Sequence, residues 1–147
     1  MQEYKKRCEE QRDRNKKLLA DFESDLREKG LTNKTISRHL DNVDFYINEY
    51  LLREEPYPAE QGVTMINSFL GYFFIYKCMW STPSTTKTTA ASIKKFYKSM
   101  FDHGNLQQSD YDFLCSEIRE GMPDWQAECA HSMTEKIHSI SFERIIV

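Results

Sequence analysis

Gly30-Leu31-Thr32-Asn33-Lys34-Thr35-Ile36, running on through Leu40, Val43, Tyr46 and Ile47, is the stretch whose reading decides the fold. Gly30 is placed as a helix stop, and Thr32 or Asn33 as the cap of the next helix. Ile36, Leu40, Val43, Ile47 and Leu51 then recur at helical spacing, so a helix is predicted to about Arg53 with this stripe buried.

A second stretch repeats the plan. Thr82-Pro83-Ser84-Thr85-Thr86-Lys87 puts a capping threonine ahead of a proline at the first helical position, where a missing N–H costs nothing. Ala90, Ile93, Phe96, Tyr97 and Met100 form the inward face, and Gly104 ends the helix.

The rest of the chain organises around these two. A first helix is expected over about Gln2–Lys29, with Leu18, Leu19, Phe22 and Leu26 on one face. Its first half offers only Tyr4 and Cys8 as apolar candidates, so residues 1–17 read as a solvated extension, open to fraying or to an oligomer contact. Pro56 and Pro58 enforce a loop through Gly62, and Thr64 is the expected cap of a third helix. The wide face of Ile66, Phe69, Leu70, Phe73 and Phe74 makes that helix the central element. Ser109-Asp110-Tyr111-Asp112 opens a fifth helix, with Phe113 or Leu114 and Ile118 as its apolar side and Gly121 and Pro123 as its stop. Trp125 is assigned to cover one end of the bundle, and Ile140–Val147 reads as β-prone. The fold class is all-α, a compact bundle of four to five helices. Residues 18–126 form its core, and 127–147 are a tail or the start of a truncated region.

A chain of 147 residues with 39% hydrophobic and 29% charged residues has the composition of an ordinary folded domain, not of a disordered tail. Its first residues are charged and no apolar run is long enough to cross a bilayer, so no membrane partner is expected and cytoplasm is the expected location. The formal net charge of −3 gives no overall attraction to nucleic acid. The distribution is uneven. Lys87, Lys94, Lys95 and Lys98 face Asp102 alone in residues 81–104, whereas residues 105–130 are strongly acidic. Cys8, Cys78, Cys115 and Cys129 fall at no zinc spacing and are expected as reduced thiols without metal or cofactor.

The pattern Gly30-Leu31-Thr32, Thr35-Ile36, Val43 and Tyr46 resembles the second helix of the N-terminal, SAM-like core-binding domain of tyrosine recombinases (phage-type integrases). His39 stands where that family often has an aromatic residue. Val63-Thr64 with Ile66, Phe69 and Leu70 resembles its third helix; Ser84 or Thr85, then Ile93-Lys94-Lys95-Phe96-Tyr97 with Gly104, resembles its fourth. The likeness covers about Leu18 to Gln126 and lies in the order and spacing of the capped helices. It implies a SAM-like bundle forming half of a clamp on duplex DNA, with the second and fourth helices at the major groove and its phosphates.

On the fourth helix, Lys87, Lys94 and Lys98 project as one outward stripe with Ala91 beside them; Lys34 and Arg38 lie one turn apart on the outer side of the second. These five are the expected DNA contacts, with Thr35 and Thr88 as weaker partners, and they would position the phosphate backbone rather than read bases. Asp41 and Asp44, on the outer half of the second helix, oppose that attraction, and Phe45 projects outward beside Arg38, either to cover the first helix or as a contact surface. The family's catalytic residues belong to a second domain containing His-x-x-Arg. None of His39, His103, His131 or His138 is followed by Arg at that spacing, and about 20 residues remain after the likeness ends. No enzyme is expected. The reading is DNA binding in integration or recombination, by an integrase fragment or a solitary non-catalytic relative, with a recombinase or a second copy as a further candidate partner. The alternative is a helical protein-interaction module. Ile36, Val43, Ile47, Phe69, Phe73, Ile93, Phe96 and Tyr97 are expected to share one core.

Overall fold

Gly30 and Thr32 act as the sequence requires. In the computed structural model, which describes residues 2–146 and side-chain surroundings as far as His138, helix α1 (Gln2–Glu28) ends at Gly30. The φ of +78° there is strained for any side chain with a Cβ. Thr32 Oγ1 accepts the Thr35 N–H at 3.2 Å, and α2 (Asn33–Asp44) follows, continued by a π turn, Phe45–Tyr50. A 3-10 turn, Ala59–Thr64, leads into α3 (residues 66–77), whose middle, Phe69–Phe73, is a second π turn. Helices α4 (Pro83–Asp102) and α5 (Gln108–Ile146) complete the chain, and among the described residues every regular element is helical. Val147, the last residue of the β-prone segment, lies outside the described residues.

The start of α4 is the best-defined cap. Thr82 Oγ1 accepts the Thr85 N–H at 3.0 Å while Thr85 Oγ1 accepts the Thr82 N–H at 2.7 Å, so two orphan donors are satisfied reciprocally and Pro83 removes another. The start of α3 differs from expectation. Thr64 closes the 3-10 turn, donating to the Gln61 carbonyl at 3.0 Å, and α3 begins at Ile66 without a side-chain cap.

One core joins all five helices. The eight residues expected there are buried, except that Phe73 is half-buried against the others. Both π turns sit where the aromatic residues meet: Tyr46 and Tyr50 pack on Phe69 with ring centroids 4.7 and 4.8 Å away. The i→i+5 turn shifts the buried face by one residue, which brings Tyr46 and Ile47 inward side by side. Phe45 packs on Phe69, Phe73 and Trp80 of the α3 side, not on α1. Phe22 of α1 meets Phe96 of α4 edge-on at 5.6 Å.

Three further expectations are corrected. The first half of α1 carries a buried polar face, not a wholly solvated one. Cys8, Gln11 and Asn15 are buried, and Asn15 Nδ2 donates to the Ile47 carbonyl at 3.3 Å and to Asn48 Oδ1 at 2.8 Å. Tyr4 donates to the Leu52 carbonyl. These donors serve carbonyls at the end of the α2 run, where the helical ladder has no more N–H groups to offer.

The second correction is that α5 runs through Gly121 and Pro123 to Ile146. Gly121 is a clearance, not a stop: a Cβ there would overlap the Trp125 indole, and one on Gly71 would lie 2.9 Å from Trp125 Nε1. The seated indole donates to Asn67 Oδ1 at 2.8 Å. With Cys129 and Ser132 buried one and two turns later, packing holds the helix past its proline. The third is that Ile140–Ile146, read as β-prone, is backbone of the same helix.

Candidate nucleic-acid interface

Helices α2 and α4 touch through a polar seam. Asn42 Nδ2 donates to Ser92 Oγ at 3.0 Å, His39 Nδ1 lies 2.7 Å from the same oxygen, and Ser92 Oγ donates to the Thr88 carbonyl at 3.1 Å. Lower down, Asn42 and Phe45 line a cleft with Thr89 and Trp80. The sequence therefore rises along α2 as it falls along α4, and the helices run antiparallel. A serine hydroxyl has one proton, here directed to Thr88, so its oxygen accepts from both Asn42 and His39. That arrangement assigns the proton of the neutral imidazole to Nδ1. Burial pushes the His39 pKa down, and Lys95 and then Arg38 lower it further.

The expected contact residues divide. Lys34 and Arg38 are exposed on α2, whereas Thr35 is half-buried beside the Thr32 cap. Lys87, Thr88 and Lys94 are exposed on α4 around an exposed Ala91. Lys98 is half-buried: its ammonium lies 2.8 Å from Asp102 Oδ1 and over the Phe101 ring. Lys95, absent from the sequence-based set, is exposed on α4 and lines a cleft with Asp25, Glu28, Lys29 and Asp102. Lys95 and Thr88 lie one helical turn either side of Ser92 and so flank the seam, while Lys87, Lys94 and Lys98 face farther from α2. Asp41 and Asp44 are exposed along the cleft that Lys16 and Glu23 of α1 also line. The α2 surface is thus basic at its start and acidic at its end.

A second polar cluster ties α1 to the end of α4. Ser99 Oγ donates to Asp25 Oδ2 at 2.6 Å, and His103 Nε2 lies 3.1 Å from both Asp25 oxygens. The carboxylate stands between serine and histidine and accepts from both, so the two side chains are joined through Asp25 and not directly. Burial pushes Asp25 up, but the hydrogen bonds from Ser99 and His103, with the charges of His103 and Lys29, outweigh it and hold the carboxyl low. The hydrogen bond to Asp25 raises His103. A raised histidine stabilises below its unfolded value near 6.5 and loses that contribution as pH climbs through the folded value; a lowered carboxyl stabilises above about 3.9 and loses it on acidification. The clamp is therefore strongest between about pH 4 and 6.5. Urea midpoints of the wild type and His103→Gln should differ at pH 5.5 and converge at pH 8.5. A gap of equal size at both would rule out the ionic contribution.

The four cysteines are free thiols, Cys115 half-buried and the others buried. Among the described residues no cluster of three or more His, Cys, Asp or Glu is placed to hold a metal, and no helix is long and apolar enough to cross a membrane. The α3 region and the loop after it expose aromatic surface. Tyr72 packs on Tyr76 at 5.0 Å, Met79 is 95% exposed, and Trp80 is 56% exposed over Phe45 and Phe74. No protein-family model, curated protein or solved structure matches the chain.

Proposed function

We propose that this chain is a duplex-DNA-binding helical domain, similar to the core-binding domain of tyrosine recombinases and acting without catalysis in integration or recombination. The observation that carries the reading is the antiparallel α2–α4 pair. Between Ser84 and Lys98, α4 carries exposed Lys87, Lys94 and Lys95 and no acid, and Lys95 also lines a cleft with Asp25, Glu28 and Asp102. Such a surface neutralises phosphates and positions the duplex with little base reading.

Binding is expected to be weak, with a dissociation constant in the ~10⁻⁶–10⁻⁴ M range of non-specific contacts at physiological salt. Replacing Lys87, Lys94 and Lys95 together by Ala should weaken binding to all duplexes alike. The slope of log K against log salt should flatten by roughly three, about one per lost phosphate contact. Lys98→Ala should leave the slope nearly unchanged, because Asp102 already holds that ammonium. Fluorescent duplexes titrated at several low salt concentrations decide it, and equal binding by the triple variant sinks the proposal. The second reading, a protein-interaction module, is favoured by the exposed Tyr72, Tyr76, Met79 and Trp80. It becomes the better one if the intact chain binds no duplex.

A further inference from the structure

The cleft below the α2–α4 seam has a lining that DNA binding leaves unused. Asp41 and Asn42 of α2, Phe45 of its π turn, Phe74 of α3, Thr89 of α4 and Trp80 of the intervening loop enclose about 250 Å³. That is below the ~300–1,000 Å³ of sites for whole small molecules and suits a single side chain. The aromatic walls stand nearly at right angles. The Trp80 ring meets Phe45 at 5.5 Å and 79°, and Phe74 at 6.4 Å and 81°. Ser81 pins the loop that carries Trp80: its hydroxyl donates to the Ile75 carbonyl at 3.2 Å and its N–H to the Cys78 carbonyl at 3.3 Å.

The polar groups of this lining are free acceptors. Thr89 is 5% exposed, yet its hydroxyl has no hydrogen-bond partner among the described residues, whereas Thr86 and Thr88 donate to helix carbonyls. Nor is that oxygen sealed off, because Gln11 Oε1 is the one fully buried side-chain atom without a partner among the described residues. The Thr89 oxygen is therefore open to the cleft it lines. Asn42 turns its amide N–H to Ser92, which leaves its amide oxygen to accept. Asp41 is exposed, and the ion pairs among the described residues all lie elsewhere. It also borders the cleft toward α1 that Lys16 lines, without an ion pair to that lysine. No cation lines the Trp80 cleft.

We infer that this cleft receives the ammonium end of a lysine side chain from a partner protein. An ammonium is drawn to an aromatic face, most strongly that of tryptophan, and Trp80 keeps 56% of its surface open. Its three N–H donors match the Asp41 carboxylate, the Asn42 amide oxygen and the Thr89 hydroxyl oxygen. Phe45 and Phe74 give the four-carbon stem apolar surface to lie on. An anionic ligand meets the opposite: Asp41 repels it and no cation in the lining offsets that. The inference stands whether or not α4 binds duplex DNA.

The test follows the Trp80 indole N–H signal by NMR, resolved from that of Trp125. The full chain is titrated at constant ionic strength with a capped single lysine, Nα-acetyl-lysine-N-methylamide. Binding is expected in about the millimolar range, because one side chain without its protein makes few contacts. Asp41→Asn should weaken it by about tenfold and Thr89→Val several-fold, through the lost charge and the lost acceptor. Asp41 is exposed, so its variant should keep the remaining spectrum unchanged. n-Butanol, which has the stem without the charge, should leave the signal in place. Equal binding by Asp41→Asn, an equal response to n-butanol, or a Trp80 signal unmoved up to tens of millimolar overturns the inference. Binding of n-butylammonium with the capped lysine excluded overturns the lysine assignment and makes the cleft a site for free amines.

Discussion

Phe69→Ala is expected to cost about 3–5 kcal/mol of unfolding free energy, the range for removing a fully buried aromatic ring. Phe69 has no exposed surface and sits in the π turn of α3, with Phe45, Tyr46, Tyr50, Phe73 and Phe74 around its ring. The cost depends on whether those neighbours collapse into the space. They are restrained. Tyr46 donates to the Gly62 carbonyl at 2.6 Å, which ties it to the 3-10 turn. Phe73 is capped by the Arg53 guanidinium 4.7 Å from its ring. A cavity that stays open is costly, and domains of this kind have only about 5–15 kcal/mol of total stability to lose. Urea unfolding followed by circular dichroism measures the change. Tyr72→Ala, three residues away on the exposed side, should shift stability by no more than about 0.5 kcal/mol. If both variants lost similar amounts, the aromatic cluster would not be the organising core.

The elements that carry their own local chemistry were readable from the sequence. Thr82-Pro83 and Gly30 each define a helix boundary through atoms within one turn, so the reading needs no tertiary information. The inward stripes of α2 and α4 were readable for the same reason. What escaped depends on distant partners. Gly121 looks like a stop in sequence, but its meaning is set by Trp125 on its own helix and by Asn67 and Gly71 on another. Asn15 and Gln11 read as solvated until the Ile47 carbonyl and Asn48 appear beside Asn15. The π turns have no sequence signature at 3.6-residue spacing, and a regular helix through residue 50 would turn Phe45 outward.

The candidate interface is legible in the sequence as a list of cations and not as a surface. Lys34, Arg38, Lys87 and Lys94 fall on the exposed side as projected, because a helical wheel needs only the position of the apolar stripe. It cannot say which flank of α4 adjoins α2. The Asp102 partner of Lys98 is visible only as a spacing until the two side chains meet. His39 gained its meaning from Ser92, a residue on another helix that sequence reading had no cause to select.

Gly62→Ala should be the most damaging substitution of a single methyl group, at about 3 kcal/mol, the upper part of the range for overfilling a packed core. The added Cβ would overlap the Tyr97 hydroxyl and lie 2.9 Å from Tyr46 Cε2 and 3.1 Å from Leu51 Cδ1. None of these can swing into solvent. Tyr46, Leu51 and Tyr97 are all fully buried, and Tyr97 donates to the Ala59 carbonyl at 2.5 Å. Burial holds both phenols far above their ordinary pKa, so they stay neutral donors at any working pH. Displacing Tyr97 would strand the Ala59 carbonyl, a cost of about 1–3 kcal/mol by itself. A double-mutant cycle separates the clash from general backbone effects. Tyr97→Phe removes the hydroxyl that the new methyl would strike, and alone it should cost about 1–2 kcal/mol through the lost hydrogen bond. Combined with Gly62→Ala, it should give less destabilisation than the sum of the two, by at least about 1 kcal/mol, because the same atom accounts for both losses. Strict additivity in the urea data would show that the methyl is accommodated elsewhere, and that the 3-10 turn is not held against α4 by this contact.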